Sequence, residues 1–161
     1  MADSCTFSFY IELRDDLSPL ELHTLDYLFN ERPDPPDSWP RHAFFELGAP
    51  PYPMGGPNMF PGGAYVSASW RASDHPGMFS GVHFTCPNLK SYWFYEYHLY
   101  LAKWLATLSC ARGHVGSFKD QGDAKGLPWL FFVYDRQLYM AEMNSSLPLV
   151  SLETGCVCPW P

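Results

Sequence analysis

Side chains capable of chemistry recur at alternate positions in three stretches of the chain. Tyr10, Glu12 and Arg14 alternate in the first, Tyr65, Ser67, Ser69 and Arg71 in the second, and His83 and Thr85 in the third. Such alternation places each set on one face of a strand. Side by side they combine a carboxylate, two guanidinium groups, an imidazole and several hydroxyls, the kinds of group that fix a ligand's orientation. Tyr10, Glu12, Arg14, Ser69, Arg71 and His83 are therefore candidate residues for binding a small polar ligand or a protein partner. In a second use, His83 serves as acid/base while Arg14 or Arg71 holds an anion. The bland alternative is a solvated face with cross-strand Glu–Arg pairs.

Other reactive residues carry less. Cys156 and Cys158 are close enough for a soft-metal or redox pair, but no second Cys or His pair at zinc spacing accompanies them, and no metal site is expected. Asp74-His75 sits in Ser-Asp-His-Pro-Gly, the composition of a turn. None of the six histidines pairs with another His or a carboxylate in a way that suggests metal. The chain has no nucleophile elbow, P-loop, dinucleotide-binding glycine fingerprint or HExxH motif. Gly55-Gly56 and Gly62-Gly63 lie beside prolines with no lysine following, so they read as turns. No catalytic residue and no cofactor is assigned.

Hydrophobic pattern sets the elements that carry these residues. Residues 6–14 alternate as a half-buried strand with Phe7, Phe9, Ile11 and Leu13 inward. Ser18, Pro19 and Glu21 make a capping box for a helix carrying Leu22, Leu25, Leu28 and Phe29, with Leu17 and Leu22 as a staple. Residues 31–63 hold nine of the 16 prolines and five glycines, so regular structure is broken there. Trp39, Phe44, Phe45, Tyr52 and Phe60 give this loop an apolar load, and it is expected to lie across the body with one turn near residues 42–47.

Residues 64–70 and 78–86 read as a hairpin, broken at Pro87-Asn88, with Asn88 or Ser91 capping the next element. Residues 91–109 form a second helix with Phe94, Tyr97, Leu101, Trp104, Leu105 and Leu108 on one stripe. His98 is expected at the edge of the core. Strands come next at 114–119, 129–134 and 138–143, and 144–161 reads as an extended tail behind a single domain over 1–143.

Composition bounds the reading. The 161 residues include 12 Phe, 10 Tyr and 6 Trp, and only 17% are charged, against roughly 25% in typical soluble domains. Disorder of the whole chain is excluded, and no apolar run is long enough to span a bilayer. The opening MADSCTFSFY lacks a basic segment before an apolar stretch, so no secretory signal is expected. A net charge of −7 with scattered basic residues disfavours nucleic acid and anionic membranes as partners. The odd number of cysteines, most of them widely spaced, points to free thiols, a reducing compartment and a cytoplasmic location.

The expected fold is α+β: a ferredoxin-like antiparallel sheet with two helices on one face, extra C-terminal strands and a long Pro-rich loop. The opening YIELRDDLSPLELHTLDYLF, the aromatic second helix and GSFKDQGD…PWLFFVYDRQLY resemble small bacterial α+β proteins with an ELRDDL-type opening. That resemblance implies a bacterial, intracellular protein and supplies no catalytic residues. The outward strand residues then line an open sheet face, over which loop 31–63 can fold. A second surface is aromatic: Tyr92, Trp93, Tyr95, Tyr100 and Trp160 either stand partly outside the core, with Trp39, Trp93 and Tyr100 as the candidate interaction aromatics, or are covered by the final strands and the Pro-rich loop. The expected function is non-enzymatic binding, including an immunity-type block of a partner, by a monomer or homodimer. The alternative is a small enzyme with a His/Arg/Glu site on the sheet face.

Overall fold

The alternation of the first stretch is realised along its whole length. β1 (Ser4–Leu13) buries Cys5, Phe7, Phe9, Ile11 and Leu13 on one face and turns Ser8, Tyr10 and Glu12 to the other. This geometry comes from a computed structural model that describes residues 4–29, 34–48, 51, 53, 67–71, 80–122, 126–143 and 149–158. α1 (Pro19–Phe29) starts at the expected capping box: Glu21 N donates to Ser18 Oγ at 3.3 Å and Ser18 N donates to Glu21 Oε2 at 2.7 Å. Leu25, Leu28 and Phe29 are buried as expected, but Leu22 is exposed and Thr24 is buried in its place. The buried arc is centred between Leu25 and Leu28, which puts Leu22 at its edge. The Thr24 hydroxyl is satisfied by donating to Leu20 O at 2.8 Å.

Loop residues 34–48 lie with the helices. His42 Nδ1 accepts from Phe44 N at 3.1 Å and caps a 3₁₀ turn over Ala43–Glu46. Phe44 is buried against Tyr97 and Trp104, with ring centroids 5.0 and 6.2 Å away. Phe45 meets Trp104 edge-on at 5.0 Å, and Trp39 stacks on Phe45 at 5.4 Å. The apolar load of the loop thus seals the helical layer. The described part does not close over the outer sheet face, and Tyr52 and Phe60 lie outside the described residues. Helices expose apolar stripes that need covering, whereas the outer face of β1 and of the strand Ser80–Lys90 beside it, over which the loop could also fold, carries polar side chains. Farther along the sheet, Phe132, Ala141 and Leu149 form a separate apolar cluster.

β2 (Ser67–Arg71) and β3 (Ser80–Lys90) pair antiparallel, and β3 pairs with β1. Pro87-Asn88 does not end β3. A bulge between Cys5 and Phe7 takes up the two residues, and the Pro87 carbonyl accepts from Thr6 Oγ1 at 3.0 Å and from Gln121 Nε2. A proline is tolerated there because the bulge asks no N–H of it.

The second helix, α2, covers residues 91–107 in three segments: α-helical over Ser91–Trp93, π-helical over Phe94–His98 and α-helical over Leu99–Thr107. Neither Asn88 nor Ser91 caps it; Lys90 occupies the N-cap without a side-chain hydrogen bond. The whole predicted apolar stripe is buried.

β4 (Gly113–Asp120), β5 (Trp129–Tyr134) and β6 (Gln137–Glu142) complete the larger strands. Asp135 and Arg136 join the last two with φ of 49° and 63°, the left-handed pair of a tight hairpin. Leu149–Ser151 and Val157–Cys158, within the stretch expected as a tail, form β7 and β8. Strands of three and two residues leave no periodic signal to read.

All pairings are antiparallel, in the order β2-β3-β1-β4-β5-β6-β7-β8, so the chain is α+β. Both helices and the 3₁₀ turn share one core on one face of this sheet. Among the described residues no helix is long and apolar enough to cross a membrane.

Candidate functional site

Register decides which polar residues meet. On the outer face Ser69, His83 and Tyr10 form one transverse row over β2, β3 and β1, and Arg71, Gly81 and Glu12 form the next. A third row joins Ser67, Thr85 and Ser8 and continues to Ser117 on β4. Ser8 Oγ donates to Thr85 Oγ1 at 3.3 Å across that row. Ser69 and Arg71 are placed by backbone register, and Tyr65, Asp74 and His75 lie outside the described residues.

The sheet splits beside Tyr10. The β1–β4 ladder ends at Phe9↔Gly116, while β4 continues along β5 to Gly113. A bulge between His114 and Gly116 turns Val115 into the core and leaves His114 on the outside, edge-on to Phe132 at 5.6 Å. Past the split, β1 is braced by the end of α2. Cys110 N and Ser109 Oγ both donate to Glu12 O, and Arg14 N donates to Leu108 O. Gly116 lets the strands meet at the last rung, because a Cβ there would overlap Ser8 O.

The split opens a shallow concavity of about 250 Å³ on the outer face. Tyr10 and His83 line one side, His114 and Ser117 the other, with Ser8 between them. Tyr10 is half exposed and both imidazoles face solvent.

Two of the six expected site residues, Tyr10 and His83, therefore converge, and Ser69 adjoins them in register. Glu12 lies one row away and does not line the concavity. Arg14 is not a face residue at all. Its guanidinium donates to Asp16 Oδ1 at 2.9 Å and to Glu21 Oε1 at 2.7 Å, so it ties β1 to the start of α1. Burial opposes its charge, but Asp16 and Glu21 hold its pKa above the usual arginine value. Strand alternation aims Arg14 outward; the strand ends at Leu13, and the carboxylates of the following turn capture it.

Sequence reasoning misses His114 and Ser117 as site residues. Their sequence signal is slight: each follows a glycine, His114 after Gly113 and Ser117 after Gly116. The bulge that turns His114 outward leaves no mark in sequence periodicity.

The candidate interaction aromatics are held in different company. Trp39 is half-buried between Phe45 and Tyr27, and Trp93 is half-buried against the core beside Tyr92. Tyr100 is half-buried with the Lys103 ammonium 5.2 Å above its ring. The rings most open to solvent on α2 are instead Tyr92 and Tyr95.

His98, expected at the core edge, is fully buried. Its Nδ1–H donates to Trp93 O at 3.1 Å, and burial pushes its pKa down to about 4. The π-turn places Trp93 O within reach of the ring, and Leu99 N donates to Phe94 O in the wider bonding pattern. Cys5 and Cys86 are buried thiols, pushed up by burial to about 12 and about 11, so both are poor nucleophiles. Among the described residues no group of three or more His, Cys, Asp or Glu is placed to hold a metal. Compared with known protein families, curated proteins and solved structures, the chain matches none of them.

Proposed function

We propose that the chain is a binding protein rather than an enzyme, and that it takes a small, planar, polar ligand at the split between β1 and β4. The observation that carries this reading is the Tyr10 ring and two imidazoles, His83 and His114, around one open concavity. Ring faces favour a flat ligand, and the hydroxyls and ring nitrogens around them orient its polar edge. The enzymatic alternative asks His83, Glu12 and an arginine to converge where water is excluded. Arg14 is engaged elsewhere, and neither it nor Glu12 lines the concavity.

A nuclear magnetic resonance titration of the chain with benzoate, phenol and inorganic phosphate tests this. Saturable shifts are expected at the amides of Ser8, Tyr10, His83 and His114. Tyr10→Ala and His114→Ala are expected to weaken them at least tenfold, about 1.4 kcal/mol each. If none of the three compounds shifts these amides at tens of millimolar, the reading fails.

We also read the first half of the fold as a split β-α-β core of ferredoxin-like type with four strands added. Support comes from β1 lying between β3 and β4, with a helix following each of β1 and β3. A reducing, cytoplasmic setting is supported by the odd number and mostly wide spacing of the cysteines.

A further inference from the structure

Among the described residues, four of the large apolar side chains open to solvent lie near the start of α2 and the adjoining ends of β5 and β6. Tyr92 and Tyr95 stand at the start of α2, Leu127 just before β5 and Met143 just after β6. The last two segments are clipped together, Met143 N donating to Pro128 O at 2.8 Å. A cleft of about 120 Å³ opens at this end, on the helical side of the sheet. Phe118, Trp129, Phe131 and Met140 form its floor, and Phe94, Tyr95 and Leu99 of α2 form its wall. Cavities of ~150 Å³ with such linings accept one benzene ring, so this cleft suits a single apolar side chain.

Among the described residues, carboxylates adjoin this cleft. Glu142 pairs with Trp129 in the register and shares its face, and Asp120 follows Phe118 by two residues on that same face. Glu96 follows Tyr95 in the chain and is exposed. Lys119 alternates to the opposite face, and Lys90, the N-cap residue of α2, pairs with Ser4 on that opposite face.

We propose that this cleft docks a protein partner that inserts one aromatic or aliphatic side chain flanked by Lys or Arg. A small dry centre with a polar rim is the anatomy of a binding hot spot. The three carboxylates select basic flanks, and the net charge of −7 extends that preference over distance. A second copy of this chain is a poor occupant, because a two-fold contact sets carboxylates against carboxylates. The surface is distinct from the outer-face concavity and uses none of its residues.

Three pentapeptides test it on the full chain: Arg-Lys-Trp-Lys-Arg, the same with Ala for Trp, and Asp-Glu-Trp-Glu-Asp. The basic tryptophan peptide is expected to bind at least tenfold more tightly than either control and to shift the Trp129 indole and Met140 methyl resonances. Glu96→Lys and Glu142→Lys, both surface changes, are each expected to weaken it about threefold or more, and Tyr95→Ser about tenfold. Equal binding of the acidic peptide, shifts confined to the Ser8–Tyr10 face, or no binding would overturn the proposal. So would dimerisation of the free chain in light scattering that Glu142→Lys alters.

Discussion

The two faces of β1 show one strand in opposite physical states. On the covered face, Phe7 has ring neighbours at 5.1 to 6.3 Å in Phe84, Phe94, Phe131, Phe9 and His98. On the outer face, a few residues further on, Tyr10 is half exposed beside an open concavity. Edge and offset contacts among rings add about 0.5–1.5 kcal/mol each beyond area burial, so the covered face is fixed many times over. The outer face has a few hydroxyl contacts and a split ladder. Stability is concentrated on one face, which leaves the other free to carry polar groups for a ligand.

The largest expected effect breaks the covered face. Phe7→Ala should cost ~3–5 kcal/mol in urea unfolding, while Tyr10→Ala should stay within ~1 kcal/mol. A Tyr10→Ala loss as large as that of Phe7→Ala would make the outer face part of the core.

Next comes a pH effect confined to the covered face. His98 is neutral when folded, with a pKa of about 4, and takes up a proton at ordinary histidine values near 6.5 only on unfolding. Below about 6.5 the unfolded chain binds more protons, so stability should fall as pH drops toward about 4 and this contribution should then level off. The full span is roughly 3 kcal/mol. Comparing unfolding curves of the native chain and His98→Gln at pH 7 and 4.5 measures it, and an unchanged slope in the variant would remove His98 as its source.

The smallest effect tests where the two faces meet. Gly116→Ala forces a Cβ against the Ser8 carbonyl, so β1 and β4 must separate at their last rung. A loss of ~1–3 kcal/mol is expected, together with amide shifts at Ser8 and Ser117. A neutral Gly116→Ala would mean that the two strands already stand farther apart at this rung.

How much of this is legible in sequence depends on the range of each interaction. The capping box at Ser18 and Glu21, the alternation of β1 and the stripe of α2 are local patterns, and each matches its element. Arg14 escapes such reading because its partners, Asp16 and Glu21, lie beyond the strand and reach it only once the chain turns. The loop reads as apolar and ordered near residues 42–47, and it is, yet its target is not readable. Phe44 has the composition to cover either sheet face, and only the Tyr97 and Trp104 rings decide for the helices.

The α+β class, most of the element boundaries and the buried residues of β1 and α2 are written in the sequence, because these depend on periods of two and 3.6 residues. Three other things are decided by tertiary structure: where the β1–β4 ladder ends, that His114 joins Tyr10 and His83, and that Glu142 and Asp120 share the face on which the cleft at the start of α2 opens. Each depends on register between strands distant in the chain, and a one-residue slip in register sends a side chain to the opposite face.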